Sequence, residues 1–256
     1  MDLGLAGMHV VVTGASSGLG LATAQVLCDE GARVTIVARD RGKTYSAAAI
    51  LDDRAHPVVV DLTDRDAPAR IISQATAEHG KIDALFVSHG GPAPTSASSL
   101  EDHLLDNALD VALRAPLRLV REMARSMTSG GSIVVLTSTS SVQPIEGLAS
   151  SNVTRTAMWG YVKSLSDELG PSGIRVNALL AGRFETARLR ELEDVISMQS
   201  GAARAQVRAD AARKIPLRRL GMPDELGRVA AFLLSPAASY VTGAAWTVDG
   251  GSVRGL

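Results

Sequence analysis

The sequence predicts an α/β fold: a doubly wound, seven-stranded parallel sheet with helices on both faces. Three observations lead there. Short β-branched runs alternate from end to end with longer Ala- and Leu-rich stretches, the pattern of repeated βαβ units. Apolar residues make up 46% of the chain and aromatic ones only 3%, so the core is built from Ala, Val, Leu and Ile, which suits strands covered on both faces. A glycine-rich turn directly follows the first β-branched run.

Taken in order, the strand candidates are His9–Val12, Arg33–Ala38, Pro57–Val60, Ala84–Val87, Ser132–Thr137, Arg175–Leu179 and Ala245–Val248. Helices are expected near 18–30, 64–79, 100–127, 149–169 and 223–235, with a weaker one near 42–53. Right-handed crossovers then fix most of the topology. No Pro/Gly/Ser linker or internal repeat divides the chain, so residues 1–256 read as one domain. The region 183–215 departs from the alternation: it is helical in composition and is inserted after the sixth strand. Ligands of open α/β sheets sit outside the carboxyl ends of the strands, so this insertion is expected to be a substrate lid; a packing or subunit-contact hairpin is the alternative.

The formal net charge of −1, without any basic block, argues against nucleic-acid or membrane-surface binding. No run approaches the roughly 18 apolar residues of a membrane span. Cys28 is the single cysteine, which excludes an intrachain disulfide and points to a reducing, cytoplasmic setting. The histidines at 9, 56, 79, 89 and 103 have no paired spacing on a helix face, so no metal site is expected.

Thr13-Gly14-Ala15-Ser16-Ser17-Gly18-Leu19-Gly20 closes the first strand and opens the first helix. Glycines let the backbone approach a pyrophosphate, and the helix N-terminus offers it free N–H groups and a favourable dipole. The spacing is TGxxxGxG. With Asp61-Leu62, Ile174-Arg175-Val176-Asn177, Gly182 through Thr186, Pro216 through Gly221, Ser239 through Gly243, and Val248-Asp249-Gly250-Gly251, the chain resembles the short-chain dehydrogenase/reductase family over nearly its whole length. The tail is similar to the branch containing acyl-carrier-protein ketoreductases.

The resemblance implies a single-domain Rossmann fold, a nicotinamide dinucleotide, a small-molecule substrate and a homotetramer (or homodimer) packed partly through the helices near 100–127 and 149–169. It places the cofactor on Gly14, Ser16, Ser17, Gly18, Leu19 and Gly20. Asp61 and Leu62 would flank the adenine, Thr186 would meet the nicotinamide amide, and Gly182 belongs to the same contact set. Ser88-His89-Gly90-Gly91 stands where the family usually has Asn-Asn-Ala-Gly, which carries His89 and Gly90 into the cofactor set. At the end of the second strand, where NAD-specific members place an acid, this chain has Ala38 and then Arg39. A guanidinium pairs with a 2′-phosphate that a carboxylate would repel, so NADP(H) is expected over NAD(H); a solvated surface arginine is the alternative.

The family's proton-transfer residues are mostly replaced. The Tyr position falls at Ser151 and the Lys position at Arg155, while the family serine is matched by Ser138, thirteen residues before Ser151. The Asn position is Ala112. Arg155 could hold cofactor ribose hydroxyls, but it stays protonated and cannot relay a proton. Tyr161 reads as a packing residue, Asn107 lies on another helix face, and Asn152 could reach substrate. His89 could donate a proton or merely replace the family's asparagine structurally. Arg183 could meet a substrate carboxylate or phosphate, or form a surface ion pair with Glu185 or Glu191.

Three functional readings follow. The first is an NADP(H)-dependent reductase of conjugated C=C bonds, whose enolate product solvent can protonate later. The second is a ketoreductase-type carbonyl reductase or alcohol dehydrogenase using Ser138 or water. The third is an NADP(H)-binding protein without turnover.

Overall fold

The computed structural model describes residues 2–255. Seven strands, β1 (His9–Thr13), β2 (Arg33–Ala38), β3 (Ala55–Val59), β4 (Ala84–Val87), β5 (Ser132–Ser138), β6 (Arg175–Ala181) and β7 (Ala245–Val248), form one parallel sheet. Their order is β3-β2-β1-β4-β5-β6-β7. The order reverses between β1 and β4, so their carboxyl ends frame the crevice in which such folds bind ligands.

Strand alternation sorts the core into two layers. Val10, Val12, Val134 and Leu136 pack with α1 (Gly18–Asp29), α2 (Arg41–Ile50) and α9 (Pro223–Leu234). Val11, Ile133 and Val135 face the other way, toward α3 (Ala67–His79), α5 (Ala115–Ser126) and α6 (Ala149–Leu169). Period-two side chains, each buried on its own face, are what a doubly covered sheet requires.

Several boundaries differ from those expected. β3 starts at Ala55, two residues early, and contains Pro57; it is an edge strand, where a missing ladder donor is tolerated. The helix expected over 100–127 is three pieces: α4 (Asp102–Leu109), a wide turn over Asp110–Arg114, and α5. Pro116 has no N–H for the Ala112 carbonyl, and its ring crowds that carbonyl. The chain widens locally instead, the Ala115 N–H donating to Asp110 five residues back. The 183–215 insertion forms two helices, α7 (Ala187–Ser200) and α8 (Arg204–Lys214), joined through Gly201 at φ 70°.

Candidate active site

The crevice begins with the glycine turn. Gly14 has φ 59°, and a Cβ there would lie 2.7 Å from the Ser88 carbonyl oxygen; one on Gly20 would lie 2.3 Å from the Gly14 carbonyl oxygen. Neither position accepts a side chain. Thr13 locks the turn to β4, its hydroxyl donating to Ser88 O at 2.7 Å and accepting from Ser88 N at 3.1 Å. Ser17 caps α1 without a side-chain hydrogen bond, and the first turn holds no acidic residue. The first-turn amides of Gly18, Leu19 and Gly20, with Ser16 just before them, thus form a cradle that fits a pyrophosphate. A Cβ on Gly90 would meet nothing within 4 Å, so the chain beyond β4 leaves open space on that side.

The other predicted cofactor residues lie around this cradle. Arg39 is exposed at the end of β2. Asp61 accepts from the Thr63 N–H at 2.9 Å and the Thr63 hydroxyl at 2.7 Å. These bonds, and to a smaller extent the Arg39 charge, hold its carboxyl below the usual range. Leu62 packs on the α3–α5 layer. Gly182 lets β6 approach the tail: a Cβ there would stand 2.6 Å from Asp249 Cα. Thr186 caps α7 by accepting from Leu189 N at 3.2 Å, and its methyl is 3.7 Å from where a Gly18 Cβ would be. The base of the α7–α8 hairpin therefore sits over the glycine turn.

The expected catalytic residues converge where β5 meets α6. Ser138 accepts from the Ser140 N–H at 3.1 Å, and Ser140 Oγ lies 3.4 Å from Ser151 Oγ. Ser140 was not anticipated; three hydroxyls rather than two share this spot. Arg155 is 7% exposed, its Nη1 donating to Leu136 O at 3.0 Å and to His89 Nε2 at 2.8 Å. A guanidinium can only donate, so His89 Nε2 carries the lone pair and the proton sits on Nδ1, which donates to Gly90 O at 3.0 Å. Burial and the Arg155 charge push the His89 imidazole down to about 3. An imidazole held neutral in this way argues against His89 as the acid. Burial lowers Arg155 to about 10, which leaves it charged at neutral pH.

The remaining candidates are engaged elsewhere. Asn152 meets one backbone position with both its amide atoms: its Oδ1 accepts from Ile145 N and its Nδ2 donates to Ile145 O, both at 3.1 Å, which pins the loop before α6. Asn107 lines a cleft of about 100 Å³ with Gly91, Pro92, Thr95, Val111 and Ser150. Tyr161 is half-buried against the α3–α5 layer, and burial raises its phenol. The surface pairs expected for Arg183 do not form: Glu185 meets Arg208 and Glu191 meets Arg188. Among the described residues no group of three or more His, Cys, Asp or Glu side chains could hold a metal ion. Among the described residues no helix is long and apolar enough to cross a membrane.

A family model described as "Enoyl-(Acyl carrier protein) reductase" matches residues 14–253. Dehydrogenase/reductase SDR family member 4 of Bos taurus is 32% identical over 256 residues, covering 96% of this chain and 87% of that protein. The chain belongs to the short-chain dehydrogenase/reductase family. L-sorbose reductase from Gluconobacter frateurii, solved with NADPH and L-sorbose, superimposes with a TM-score of 0.94 at 29% identity, covering all of both chains. An NADPH-bound short chain oxidoreductase from Pseudomonas aeruginosa PAO1, described as containing an atypical catalytic center, does so with a TM-score of 0.89 at 29% identity over 97% of this chain and 98% of that one. This chain is accordingly an oxidoreductase of the dehydrogenase/reductase type.

Proposed function

We propose that this short-chain dehydrogenase/reductase is an NADP(H)-dependent reductase of conjugated carbonyl compounds. One observation carries the reading: Ser138 at the end of β5, Ser140 just beyond it, and Ser151 and a buried Arg155 on α6 occupy this place, with serine and arginine standing where the family is expected to have its tyrosine and lysine. Reduction of a simple ketone creates an alkoxide that needs a proton at once, and general acid catalysis is worth about 10²–10⁴-fold there. A conjugated C=C yields a delocalised enolate, which water can protonate afterwards.

NADPH, when bound, would supply the reducing hydride. Gly14, Ser16, Ser17, Gly18, Leu19 and Gly20 would hold its pyrophosphate through backbone N–H groups, and Arg39 its 2′-phosphate through the guanidinium fork. Asp61 and Leu62 would border the adenine. His89, Gly90, Gly182 and Thr186 would line the far half. Ser138 and Ser151 would orient the substrate carbonyl by donating hydroxyl hydrogens. Arg155 would hold the cofactor's ribose hydroxyls with its fixed fork of donors and would not move a proton. Segment 183–215 would act as the lid that excludes water, through α7 and α8. The same reading takes residues 1–256 as one catalytic unit in a homotetramer (or homodimer), in a reducing cytoplasmic setting suited to the buried free thiol of Cys28.

The test is NADPH consumption with cyclohex-2-enone and with cyclohexanone, followed by product analysis. The expected outcome is saturated ketone from the enone and little turnover of cyclohexanone. Alcohol as the product from both would replace this reading by carbonyl reduction with Ser138 or water as proton source. The likeness to a reductase of the ketose L-sorbose favours that second reading. Tight cofactor binding without turnover across enones and ketones would leave a non-catalytic binder.

A further inference from the structure

The cleft beside the first turn of α6 holds polar groups with nothing to bond. Ser150 lines it and is only 1% exposed, yet its hydroxyl makes no hydrogen bond to a described residue; its backbone carbonyl alone is used, by the Thr154 hydroxyl. Asn107, on α4, lines it with a side-chain amide that is likewise unbonded among the described residues. The Thr95 hydroxyl, also on the lining, has only a long bond of 3.3 Å to the Ala93 carbonyl. A hydroxyl buried without a partner is costly, so the cleft suits a group that bonds it. None of the lining residues belongs to the set expected to hold the cofactor, so the dinucleotide does not account for these free groups.

The walls are fixed before any ligand arrives. Thr95 pairs with the segment before α6, its N–H donating to Gly147 O at 2.8 Å and its carbonyl accepting from Ala149 N at 2.9 Å. Pro92 stiffens the same loop, and its carbonyl accepts from the Arg188 guanidinium at 3.0 Å. The α7–α8 hairpin is thus tied to the rim of the cleft. Val111 reaches the lining from the wide turn over Asp110–Arg114, and such turns recur at functional sites. Three lining residues adjoin expected site residues in the chain: Gly91 follows Gly90, Val111 precedes the Asn position Ala112, and Ser150 precedes Ser151. The cleft is therefore a neighbour of the reacting centre.

We propose that this cleft is a specificity pocket for a neutral hydroxyl substituent of the substrate, bonded by Ser150 and Asn107. No charged side chain lines it, which selects against an ion. Ligand pockets run to about 300–1,000 Å³, so a cleft of about 100 Å³ takes a substituent and not a whole substrate. A hydroxyl donates and accepts, as Ser150 and Asn107 both do. A substrate lacking it leaves those atoms unbonded, and selectivity arises there. This deepens the preceding reading and rests on it for the nature of the reaction, but not for the pocket itself.

The experiment is calorimetric titration of the full chain, with and without saturating NADP+. The probes are 3- and 4-hydroxycyclohexanone, the corresponding methyl ketones of similar shape, and 4-oxocyclohexanecarboxylate. At least one hydroxy ketone should bind about tenfold more tightly than its methyl counterpart, and the carboxylate should gain nothing over the methyl ketones. Ser150→Ala and Asn107→Leu should each weaken that hydroxy ketone about 2–10-fold, the worth of one neutral hydrogen bond, and leave the methyl ketone within about twofold. Asn107 is exposed, so its variant should fold normally, which circular dichroism checks. Equal affinity of hydroxy and methyl ketones, tighter binding of the carboxylate, or a parallel loss for both ketones in the variants overturns the proposal. So does a change of oligomeric state in Asn107→Leu without loss of affinity, which would assign the amide to a contact between subunits. Absent enone turnover with a persisting hydroxyl preference would overturn the functional reading and leave the pocket standing. Enone turnover without that preference would overturn the pocket alone.

Discussion

The Arg188 guanidinium, in the first turn of α7, donates to the Pro92 carbonyl beyond β4 at 3.0 Å, joining segments ninety-six positions apart. This bond ties the α7–α8 hairpin across the mouth of the crevice. Arg188→Ala should loosen the hairpin and raise KM for substrate about 2–10-fold, the worth of one solvent-exposed hydrogen bond, with Tm nearly unchanged. Limited proteolysis within 187–214 should accelerate in parallel. A KM unchanged and cleavage no faster would show that the bond does not restrain the hairpin.

On the proposed reading, Arg39 is the residue that would discriminate between the two forms of the cofactor. Arg39→Ala should weaken NADPH binding about 10–100-fold and leave NADH binding within about twofold, because only the phosphorylated ribose offers the guanidinium a charged partner. Fluorescence titration with both nucleotides measures it. Parallel losses for both would mean that Arg39 acts on something other than the 2′-phosphate.

Gly20→Ala should remove cofactor binding outright. The new methyl would lie 2.3 Å from the Gly14 carbonyl oxygen, backbone against backbone, so the turn must open. The overpacking should also lower stability by about 1–3 kcal/mol. Normal NADPH affinity in a folded Gly20→Ala chain would contradict the cradle.

Stability should fall between about pH 6.5 and pH 4. His9 is fully buried at the start of β1. Its Nδ1 donates to the Lys81 carbonyl at 3.2 Å, and its Nε2 accepts from the Thr35 hydroxyl at 2.9 Å. Burial first, then the His79 charge, push it down to about 4, and His79 is shifted the same way by burial. In that window the unfolded chain takes up protons that the folded chain refuses, so stability present in full above pH 6.5 is lost progressively down to pH 4. For His9 the loss amounts to about 3 kcal/mol. Tm followed against pH should show this slope, and His9→Gln should flatten it while lowering Tm at pH 7. An equal slope in the variant would assign the effect to other groups.

Much of the framework was legible because its causes are local. All seven strands appear within two residues of their expected starts, since a β-branched run of period two reads the same alone as in the sheet. The glycine turn was legible for the same reason: positive φ and close backbone approach leave little but glycine at Gly14 and Gly20. The break at Asp110–Arg114 was missed although Pro116 stands inside the helix expected over 100–127, because the Ala- and Leu-rich stretch on either side of it reads as one continuous run. The site was half legible. Ser138, Ser151 and Arg155 do converge, whereas Ser140 gave no signal beyond lying near them.

By itself, then, the sequence determined the fold class, the succession of seven strands and the glycine turn, all set by side-chain periodicity and by φ restrictions among neighbours in the chain. Only the tertiary structure decided that His89 is a neutral acceptor for Arg155, that Asn152 serves the loop at Ile145, and that Arg188 reaches Pro92. These pairings depend on which groups share one dry volume once β4, β5 and α6 have closed together. Their charge states follow from that shared desolvation, which is a property of the assembled core rather than of any one segment.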